Sequence, residues 1–266
     1  MKLNNKVVIV TGATSGIGKE IAYQLANKGA HLVLVARRRS LLKELTQDLH
    51  ERFNVQVLIV VADLSEAKQI ERLVVKAKKY FGRIDYLINS AGYGEFKPAV
   101  EFSYEEIQEM FKINTFAMMY LSQLVALEML EQASGQIVFI SSISGKLSSH
   151  SSSVYSASKS AIIGYADALR LELKKYGIGV TTINPGPVKT PFFTRNDTLQ
   201  AYYKRIELFA LETETVAKRV IDAMVKGKRE VNMPFMLKTA AIISPLVPHI
   251  SDFLNTNLFN FKEESR

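Results

Sequence analysis

The sequence predicts one α/β domain with a doubly wound, mostly parallel seven-stranded sheet and helices on both faces. Short, continuously apolar segments alternate six times with helical patterns, which is typical of consecutive βα units. Polar or glycine-containing segments follow the ends of these strands, at the edge where such sheets bind their ligands. No internal repeat or low-complexity linker interrupts the chain, so we expect a single domain over 1–266.

The individual elements follow from the spacing of the apolar residues. Segment 7–10 is continuously apolar and β-branched, like a buried parallel strand, and 66–81 has the apolar face of an amphipathic helix. Ser103 and Glu106 form a capping box that predicts the start of a long, bent helix. The predicted strands are 7–10, 31–35, 56–61, 84–88, 137–140, 178–183 and 229–231. The predicted helices are 17–28, 40–50, 66–81, 103–131, 155–176 and 213–226.

The composition is globular, with 47% hydrophobic and 23% charged residues. The sequence has no cysteine, which excludes a disulfide framework, a thiolate zinc site and a cysteine nucleophile. We predict no metal site, and we expect a cytoplasmic protein because the chain suits a reducing compartment. The apolar segment 7–10 is too short for a signal peptide, and no uninterrupted apolar stretch of about 18 residues predicts a membrane span.

The net charge of +8 raises the question of nucleic-acid binding. The basic residues are mostly scattered singly over the helical patterns, with no basic tail and no stripe interleaved with aromatic residues. We therefore expect no nucleic-acid partner. The one tight basic cluster, 37–39, has a local explanation at the end of the second strand.

A glycine-rich turn follows the first strand and leads into the first helix. Gly12, Gly16 and Gly18 permit a tight turn and bring backbone N–H groups close to a phosphate, where the helix N-terminus adds partial positive charge. The spacing differs from the commonest dinucleotide fingerprint, and a plain βα turn is the alternative interpretation.

The residues after the second strand indicate which dinucleotide is bound. NAD sites usually place Asp or Glu there for the ribose hydroxyls, whereas a nearby Arg accommodates a 2′-phosphate. Here Ala36 takes the acidic position and Arg37 and Arg38 follow it. We predict an NADP(H) site; the alternative is a solvated start of the next helix.

Tyr155 and Lys159 are four residues apart in a helical pattern, so their side chains share one face. An ammonium group beside a phenol lowers the phenol pKa, which makes the pair a candidate general acid and base near neutral pH. Ser142, at the end of the preceding strand, is placed to hold a substrate oxygen beside the phenol. A second pair with this spacing, Tyr93 and Lys97, stands in a glycine- and proline-containing loop, where such residues need not face each other.

Together these motifs resemble the classical short-chain dehydrogenase/reductase family, over residues 6 to about 231. The resemblance is carried by the glycine turn at 11–18, Asp63 and Leu64, the segment 89–92, Asn114, Ser142, the Tyr155/Lys159 pair, and Pro185 with Gly186. Ser90 departs from the pattern, since the family commonly has Asn there, and we expect little consequence. Asn114, inside a mostly apolar helical face, is by itself equally compatible with a buried structural amide.

The resemblance implies a Rossmann-type fold and a catalytic tetrad of Asn114, Ser142, Tyr155 and Lys159. Tyr155 would exchange a proton with the substrate oxygen, which Ser142 would position. Lys159 would bind the nicotinamide ribose and lower the tyrosine pKa, and Asn114 would hold a water in the proton relay. The predicted cofactor-binding residues are Gly12, Thr14, Ser15, Gly16, Ile17, Gly18, Arg37, Arg38, Asp63, Leu64, Asn89, Ala91, Gly92, Tyr155, Lys159, Pro185, Gly186, Val188 and Thr190.

The expected reaction is the interconversion of a carbonyl and an alcohol with NADP(H), the protein supplying placement and proton management. One alternative is a 3-oxoacyl-carrier-protein reductase-like enzyme. Another is a non-catalytic NADP-binding redox regulator, against which the intact tetrad argues.

Two segments beyond the shared motifs are expected to shape the substrate site. Segment 187–213 is aromatic and follows a strand end, as a substrate lid would. The extension 232–266 is rich in large apolar residues, and Pro245 and Pro248 predict two short helices there. We expect this extension to pack on an apolar substrate pocket or on a partner subunit of a homodimer or homotetramer, with membrane contact the less favoured alternative.

Overall fold

The structure, a computed structural model, describes residues 3–194 and 196–257. In this part of the chain seven strands form a sheet of order β3-β2-β1-β4-β5-β6-β7, and all neighbouring strands are parallel. The strands are β1 (Val7–Thr11), β2 (His31–Ala36), β3 (Val57–Val61), β4 (Tyr86–Asn89), β5 (Gly135–Ile140), β6 (Ile178–Pro185) and β7 (Glu230–Met233). The doubly wound, seven-stranded prediction is confirmed.

Helices surround this sheet and connect its strands. They are α1 (Gly16–Ala26), α2 (Arg39–Arg52), α3 (Ala67–Phe81), α4 (Tyr104–Phe111), α5 (Ala117–Glu131), α6 (Ser153–Leu173), α7 (Asp197–Ile206), α8 (Thr213–Val225), α9 (Phe235–Ile243) and α10 (Pro248–Asn257). The long helix predicted over 103–131 is continuous, but a π-helical segment, Lys112–Phe116, separates α4 from α5. Ser103 and Glu106 make the predicted capping box at its start.

The strand residues alternate between two apolar layers because successive side chains of a strand point to opposite faces. Val8 and Val10 of β1 pack with α1, α2 and α8 on one face of the sheet. Val7 and Ile9 pack with α3, α5 and α6 on the other face. Both faces of the sheet are therefore buried, which explains why its strands are continuously apolar in sequence.

The order of the strands reverses between β1 and β4, and the backbone there is tied together by Thr11. Its hydroxyl oxygen accepts hydrogen bonds from the backbone N–H groups of Ser90 at 2.9 Å and Ala91 at 3.0 Å. This is the switch point at which doubly wound sheets bind ligands. The loops after β1 and β4 therefore start from a fixed common position.

One helical stretch of the described residues, Tyr104–Glu131, is long and apolar enough to cross a membrane by length and composition. Half of its most apolar window is buried inside the protein, and α5 contributes Leu121 and Val125 to the core beside α3. The stretch has the surroundings of a core helix.

The C-terminal extension forms α9 and α10, so the prediction of two short helices broken near Pro245 and Pro248 is confirmed for the described part. Several large apolar side chains of these helices are exposed, among them Phe235 at 76% and Leu246 at 76%. The predicted extension continues through Leu258, Phe259, Phe261 and Lys262, which lie outside the described residues.

Candidate active site

A cavity of about 1290 Å³ lies at the carboxyl ends of the strands, beside the switch point. It extends from the glycine turn, past the end of β5, to the C-terminal helices. The predicted site residues that line it are Gly12, Thr14, Ser15, Gly16, Ile17, Gly18, Arg37, Arg38, Ala91, Gly92, Ser142, Tyr155, Lys159, Pro185, Gly186, Val188 and Thr190. The predicted site residues that do not line it are Asp63, Leu64, Asn89 and Asn114.

The glycine turn has the backbone that the sequence predicts. Gly12 and Gly16 have φ angles of 66° and 51°, in the region that favours glycine. A Cβ atom at Gly18 would lie 2.5 Å from the carbonyl oxygen of Gly12, so the turn and the helix pack too closely for any side chain there. Ser15, at the N-cap of α1, makes no side-chain capping bond. The N-terminal amides of α1 therefore suit an anionic group in the cavity.

Arg37 and Arg38 lie at one end of this cavity, directly after Ala36 ends β2. The Arg38 guanidinium donates a hydrogen bond to Thr14 Oγ1 at 3.1 Å, which joins it to the glycine turn. Arg37 lies near Asp63. Partial burial alone would raise the pKa of Asp63, but hydrogen bonds from Ser65 and the charge of Arg37 hold it below its usual value.

Ser142, Tyr155 and Lys159 meet at the end of β5, where α6 passes the cavity. The Ser142 hydroxyl lies beside the Tyr155 hydroxyl and acts to lower the Tyr155 pKa. The Lys159 ammonium lies 5.8 Å from the centre of the Tyr155 ring and donates to the Ile140 carbonyl at 3.2 Å. The side chains of Tyr155 and Lys159 are buried. The structure thus brings three members of the predicted tetrad to one wall of the cavity.

Burial controls the proton affinities of this pair. It raises the pKa of Tyr155 to about 12, with a partial opposing effect from the Ser142 hydrogen bond, and it lowers the pKa of Lys159 to about 8. The predicted lowering of the tyrosine pKa is therefore wrong for the protein alone, where the net shift is upward. The reason is that both groups lose water, which disfavours the charged form of each, and the ammonium is directed at a carbonyl oxygen.

Asn114 lies in the π-helical segment, fully buried behind the cavity. Its amide nitrogen donates to Tyr93 O at 2.8 Å and Ser158 Oγ at 3.1 Å, and its oxygen accepts from Tyr93 N at 3.0 Å. A Cβ at Gly92 would lie 2.9 Å from the Asn114 oxygen and 3.3 Å from Lys159 Nζ. The amide is therefore satisfied by the protein and still borders the cavity across Gly92.

Two other predicted cofactor-binding residues, Asn89 and Leu64, do not line the cavity. The Asn89 side chain is buried and donates to Ser122 Oγ at 2.9 Å, so it connects β4 to α5 and does not face the cavity. Leu64 packs against the apolar layer on the α3 face.

Lys97, of the second tyrosine–lysine pair, binds Glu106 at 2.6 Å, which makes it a structural ion pair.

The aromatic part of the cavity includes Phe192 and Tyr202 of the predicted lid segment 187–213, but the sequence interpretation did not assign Phe96. Phe96 lies in the loop after β4, Phe192 follows β6, and Tyr202 lies on α7; all three line the cavity. Phe96 packs against Tyr155 with ring centres 5.5 Å apart, and Phe192 against Tyr155 at 6.0 Å. The available signal was Gly94 before Phe96, since a Cβ there would lie 2.9 Å from the Tyr155 ring.

In residues 3–194 and 196–257 no cluster of three or more His, Cys, Asp or Glu residues forms a metal site.

A doubly wound sheet with a glycine turn at its switch point is the architecture of a dinucleotide-binding protein. Residues 6–200 match the family model described as short chain dehydrogenase. The match spans most of the chain, so the protein belongs to the short-chain dehydrogenase family of oxidoreductases. Interconversion of carbonyls and alcohols with a nicotinamide cofactor is general to this family.

Individual relatives agree with this assignment. The chain is 39% identical over 191 residues to an uncharacterized oxidoreductase of Staphylococcus saprophyticus, covering 72% of this chain and 82% of that protein. It is 32% identical over 253 residues to an 11-beta-hydroxysteroid dehydrogenase-like protein of Arabidopsis thaliana, covering 94% and 83% of the two chains. A short-chain dehydrogenase/reductase from Burkholderia phymatum, solved with NAD, shares the fold with a TM-score of 0.86, at 24% identity over 94% of this chain and 96% of that one.

Proposed function

We propose that the protein is an NADP(H)-dependent oxidoreductase that interconverts an apolar ketone or aldehyde with its alcohol. One observation carries the proposal. The neighbouring Ser142 and Tyr155 hydroxyls, with Lys159 beside them, line the same cavity as the glycine turn. A proton donor and a dinucleotide site that share one cavity are what reduction of a carbonyl requires.

The residues present fit a nicotinamide dinucleotide. The glycine turn lines the cavity at Gly12, Gly16 and Gly18, and the N-terminal amides of α1 beside it would bind a pyrophosphate. Arg37 and Arg38 would hold the 2′-phosphate through charge-assisted hydrogen bonds. Lys159 would bind the nicotinamide ribose and Thr190 the carboxamide, as the family resemblance implies. When bound, the cofactor supplies the hydride chemistry.

The side chains of the protein transfer the proton to and from the substrate oxygen. Ser142 would position the substrate oxygen beside the Tyr155 hydroxyl, which donates its proton in the direction of reduction and accepts one in the direction of oxidation. With a pKa of about 12 in the protein alone, Tyr155 carries the proton it must donate at neutral pH. The Lys159 cation favours the phenolate that donation leaves behind. Asn114 fixes the π-helical segment at which the water of a proton relay would be held.

The substrate is proposed to be apolar because aromatic and aliphatic side chains form much of the cavity beyond Tyr155. Phe96 and Phe192 contribute one side, and Met236, Leu237 and Ile243 of the C-terminal extension contribute another. The name of the Arabidopsis relative refers to a hydroxysteroid dehydrogenase, whose namesake substrate is a bulky apolar alcohol. Segment 187–213 would act as the lid and 232–266 as an apolar wall of the site.

A cytoplasmic homodimer or homotetramer is the proposed form, since oligomers are common in the family.

A screen of ketones and aldehydes, followed by the loss of NADPH absorbance, tests the proposal. We expect turnover with apolar carbonyl compounds and much weaker turnover with NADH. NADPH binding without turnover of any carbonyl compound would favour the redox-regulator alternative. Selective turnover of 3-oxoacyl thioesters would favour the carrier-protein reductase alternative.

A further inference from the structure

A second tyrosine, Tyr202, reaches the substrate cavity from α7. Its ring meets Phe96 edge to face, with ring centres 5.4 Å apart and planes at 86°. Phe96 makes the same kind of contact with Tyr155, at 5.5 Å and 73°. One phenylalanine ring therefore contacts two phenols that line one cavity.

The Tyr202 hydroxyl keeps its proton over the whole physiological pH range. Burial raises its pKa to about 12, and the neighbouring Tyr155 adds to this effect. A neutral phenol can donate one hydrogen bond and accept others. Tyr202 therefore suits a neutral oxygen of a ligand.

The position of Tyr202 is fixed by the way α7 is attached. Asn196 caps α7, its side-chain oxygen accepting from Leu199 N at 2.8 Å, and its amide nitrogen donates to Glu95 Oε1 at 2.7 Å. Leu199 is fully buried in the aromatic cluster that includes Phe96. The helix is thus joined to the loop after β4 by a polar contact and an apolar one, so Tyr202 has a defined place beside Phe96.

We infer that Tyr202 determines specificity by binding an oxygen of the substrate other than the one that reacts. The two lone pairs of the reacting oxygen already have Ser142 and Tyr155 as partners, whereas Tyr202 reaches the same cavity from α7 and contacts the Phe96 ring. The substrate class is then an apolar ketone or alcohol with a second hydroxyl or carbonyl oxygen. A site that hydrogen-bonds this second oxygen discriminates against a substrate analogue that lacks it, because the Tyr202 hydroxyl is then left without a partner in the complex. The inference rests on the proposed function and deepens it.

The test compares pairs of ketones that differ in one oxygen, such as cyclohexanone with 1,4-cyclohexanedione and 1-decalone with decalin-1,5-dione. The variant is Tyr202→Phe, which keeps the ring and its contact with Phe96. The matched control is Tyr203→Phe; that ring stacks on Phe193 at 5.0 Å and does not line the cavity. Steady-state kinetics with NADPH are measured for each member of each pair.

We expect the native protein to prefer the dioxygenated member of at least one pair. Tyr202→Phe should lower kcat/KM for that member about 3- to 10-fold, the range of one neutral hydrogen bond, mainly through KM. The plain ketone should change little, and Tyr203→Phe should keep the preference. Equal effects of Tyr202→Phe on both members, or no preference in the native protein while plain ketones are reduced, would overturn the inference alone. If no pair is reduced at all, the proposed function fails and the inference falls with it.

Discussion

The ammonium nitrogen of Lys159 lies 5.8 Å from the centre of the Tyr155 ring, one helical turn along α6, and is bonded to the carbonyl oxygen of Ile140. The backbone at the end of β5 therefore holds the lysine in place independently of the phenol. Both side chains are buried, so each group's proton affinity depends on its lost hydration more than on the other group.

Tyr155→Phe removes the hydroxyl and keeps the ring that packs against Phe96 and Phe192. We expect turnover to fall about 10²- to 10⁴-fold, the usual contribution of general acid–base catalysis. NADPH affinity, measured by fluorescence titration, should be retained because the glycine turn is untouched. Near-normal turnover of any accepted carbonyl compound would contradict the tetrad assignment.

Lys159→Met should change how the stability of the protein without cofactor depends on pH. The pKa of Lys159 is about 8 in the folded protein, against an ordinary value of 10.5, so above pH 8 the unfolded chain binds more protons at this site. Stability from this group therefore rises with pH between about 8 and 10.5. The Tm of the native protein should rise relative to that of Lys159→Met between pH 7 and pH 9.5.

The control for this comparison is Lys68→Met, at an exposed position of α3. Its Tm should follow that of the native protein in parallel across the same pH range. A native Tm that stays level with, or falls relative to, Lys159→Met as the pH rises would contradict the assigned direction of the lysine pKa.

Arg37→Ala and Arg38→Ala should each reduce the preference for NADPH over NADH. A charge-assisted hydrogen bond to the 2′-phosphate contributes about 1.5–3 kcal/mol, or roughly 10- to 100-fold in NADPH affinity. Arg39→Ala is the matched control, since Arg39 starts α2 and does not line the cavity. Isothermal titration with both dinucleotides measures the preference. Equal affinity of the native protein for NADPH and NADH would refute the NADP(H) assignment.

Asn114→Leu should lower both stability and turnover. The change removes the two bonds to the Tyr93 backbone and the bond to Ser158 Oγ, all in a buried place. We expect a loss of roughly 2–4 kcal/mol in the free energy of unfolding by urea titration. Thr115→Val, which removes one bond to the Ser158 carbonyl, should cost about 1 kcal/mol and leave turnover largely intact. Equal losses in the two variants would remove any special role from Asn114.

Truncation after Pro234 should impair substrate handling while cofactor binding survives. It removes Leu237, which packs so closely on Gly186 that a Cβ there would lie 2.8 Å from Leu237 Cδ1. KM for apolar ketones should rise, dye binding to apolar surface should increase, and NADPH affinity should stay near the native value. Unchanged kinetics and oligomeric state in the truncated protein, with full-length protein partitioning onto liposomes, would instead indicate a membrane role for the extension.

Much of this architecture could be predicted because it depends on short-range patterns. The buried strands are continuous apolar segments, and each predicted strand lies within about two residues of the observed one. The pairing of Tyr155 with Lys159 required only the helical repeat, and their meeting with Ser142 required only the rule that parallel strands end at one edge.

The remaining features depend on contacts between distant parts of the chain. Phe96 and Tyr202 are far apart in sequence, and no local sequence pattern predicts their contact. The apolar spacing around Asn114 suits an α helix and a π turn equally, so only the fold reveals the wider turn. The sequence predicts a lowered pKa for Tyr155, whereas the structure raises it. The spacing of residues in the sequence shows that a charge is near the phenol, but it does not show how much hydration the phenol loses on burial.

The segment proposed as a substrate lid, 187–213, has its two ends joined to each other. Val188 pairs with Leu211 in an isolated bridge, and the Leu211 N–H donates to Pro187 O at 2.8 Å while the Lys189 N–H donates to Leu211 O at 2.9 Å. Both ends are held together beside β6, so residues between them that do not touch the glycine turn, unlike Thr190 against Gly16, can be replaced without moving the sheet. Insertions or substitutions in this stretch can therefore alter which substrate fits while the β6 end to which it is attached keeps its position.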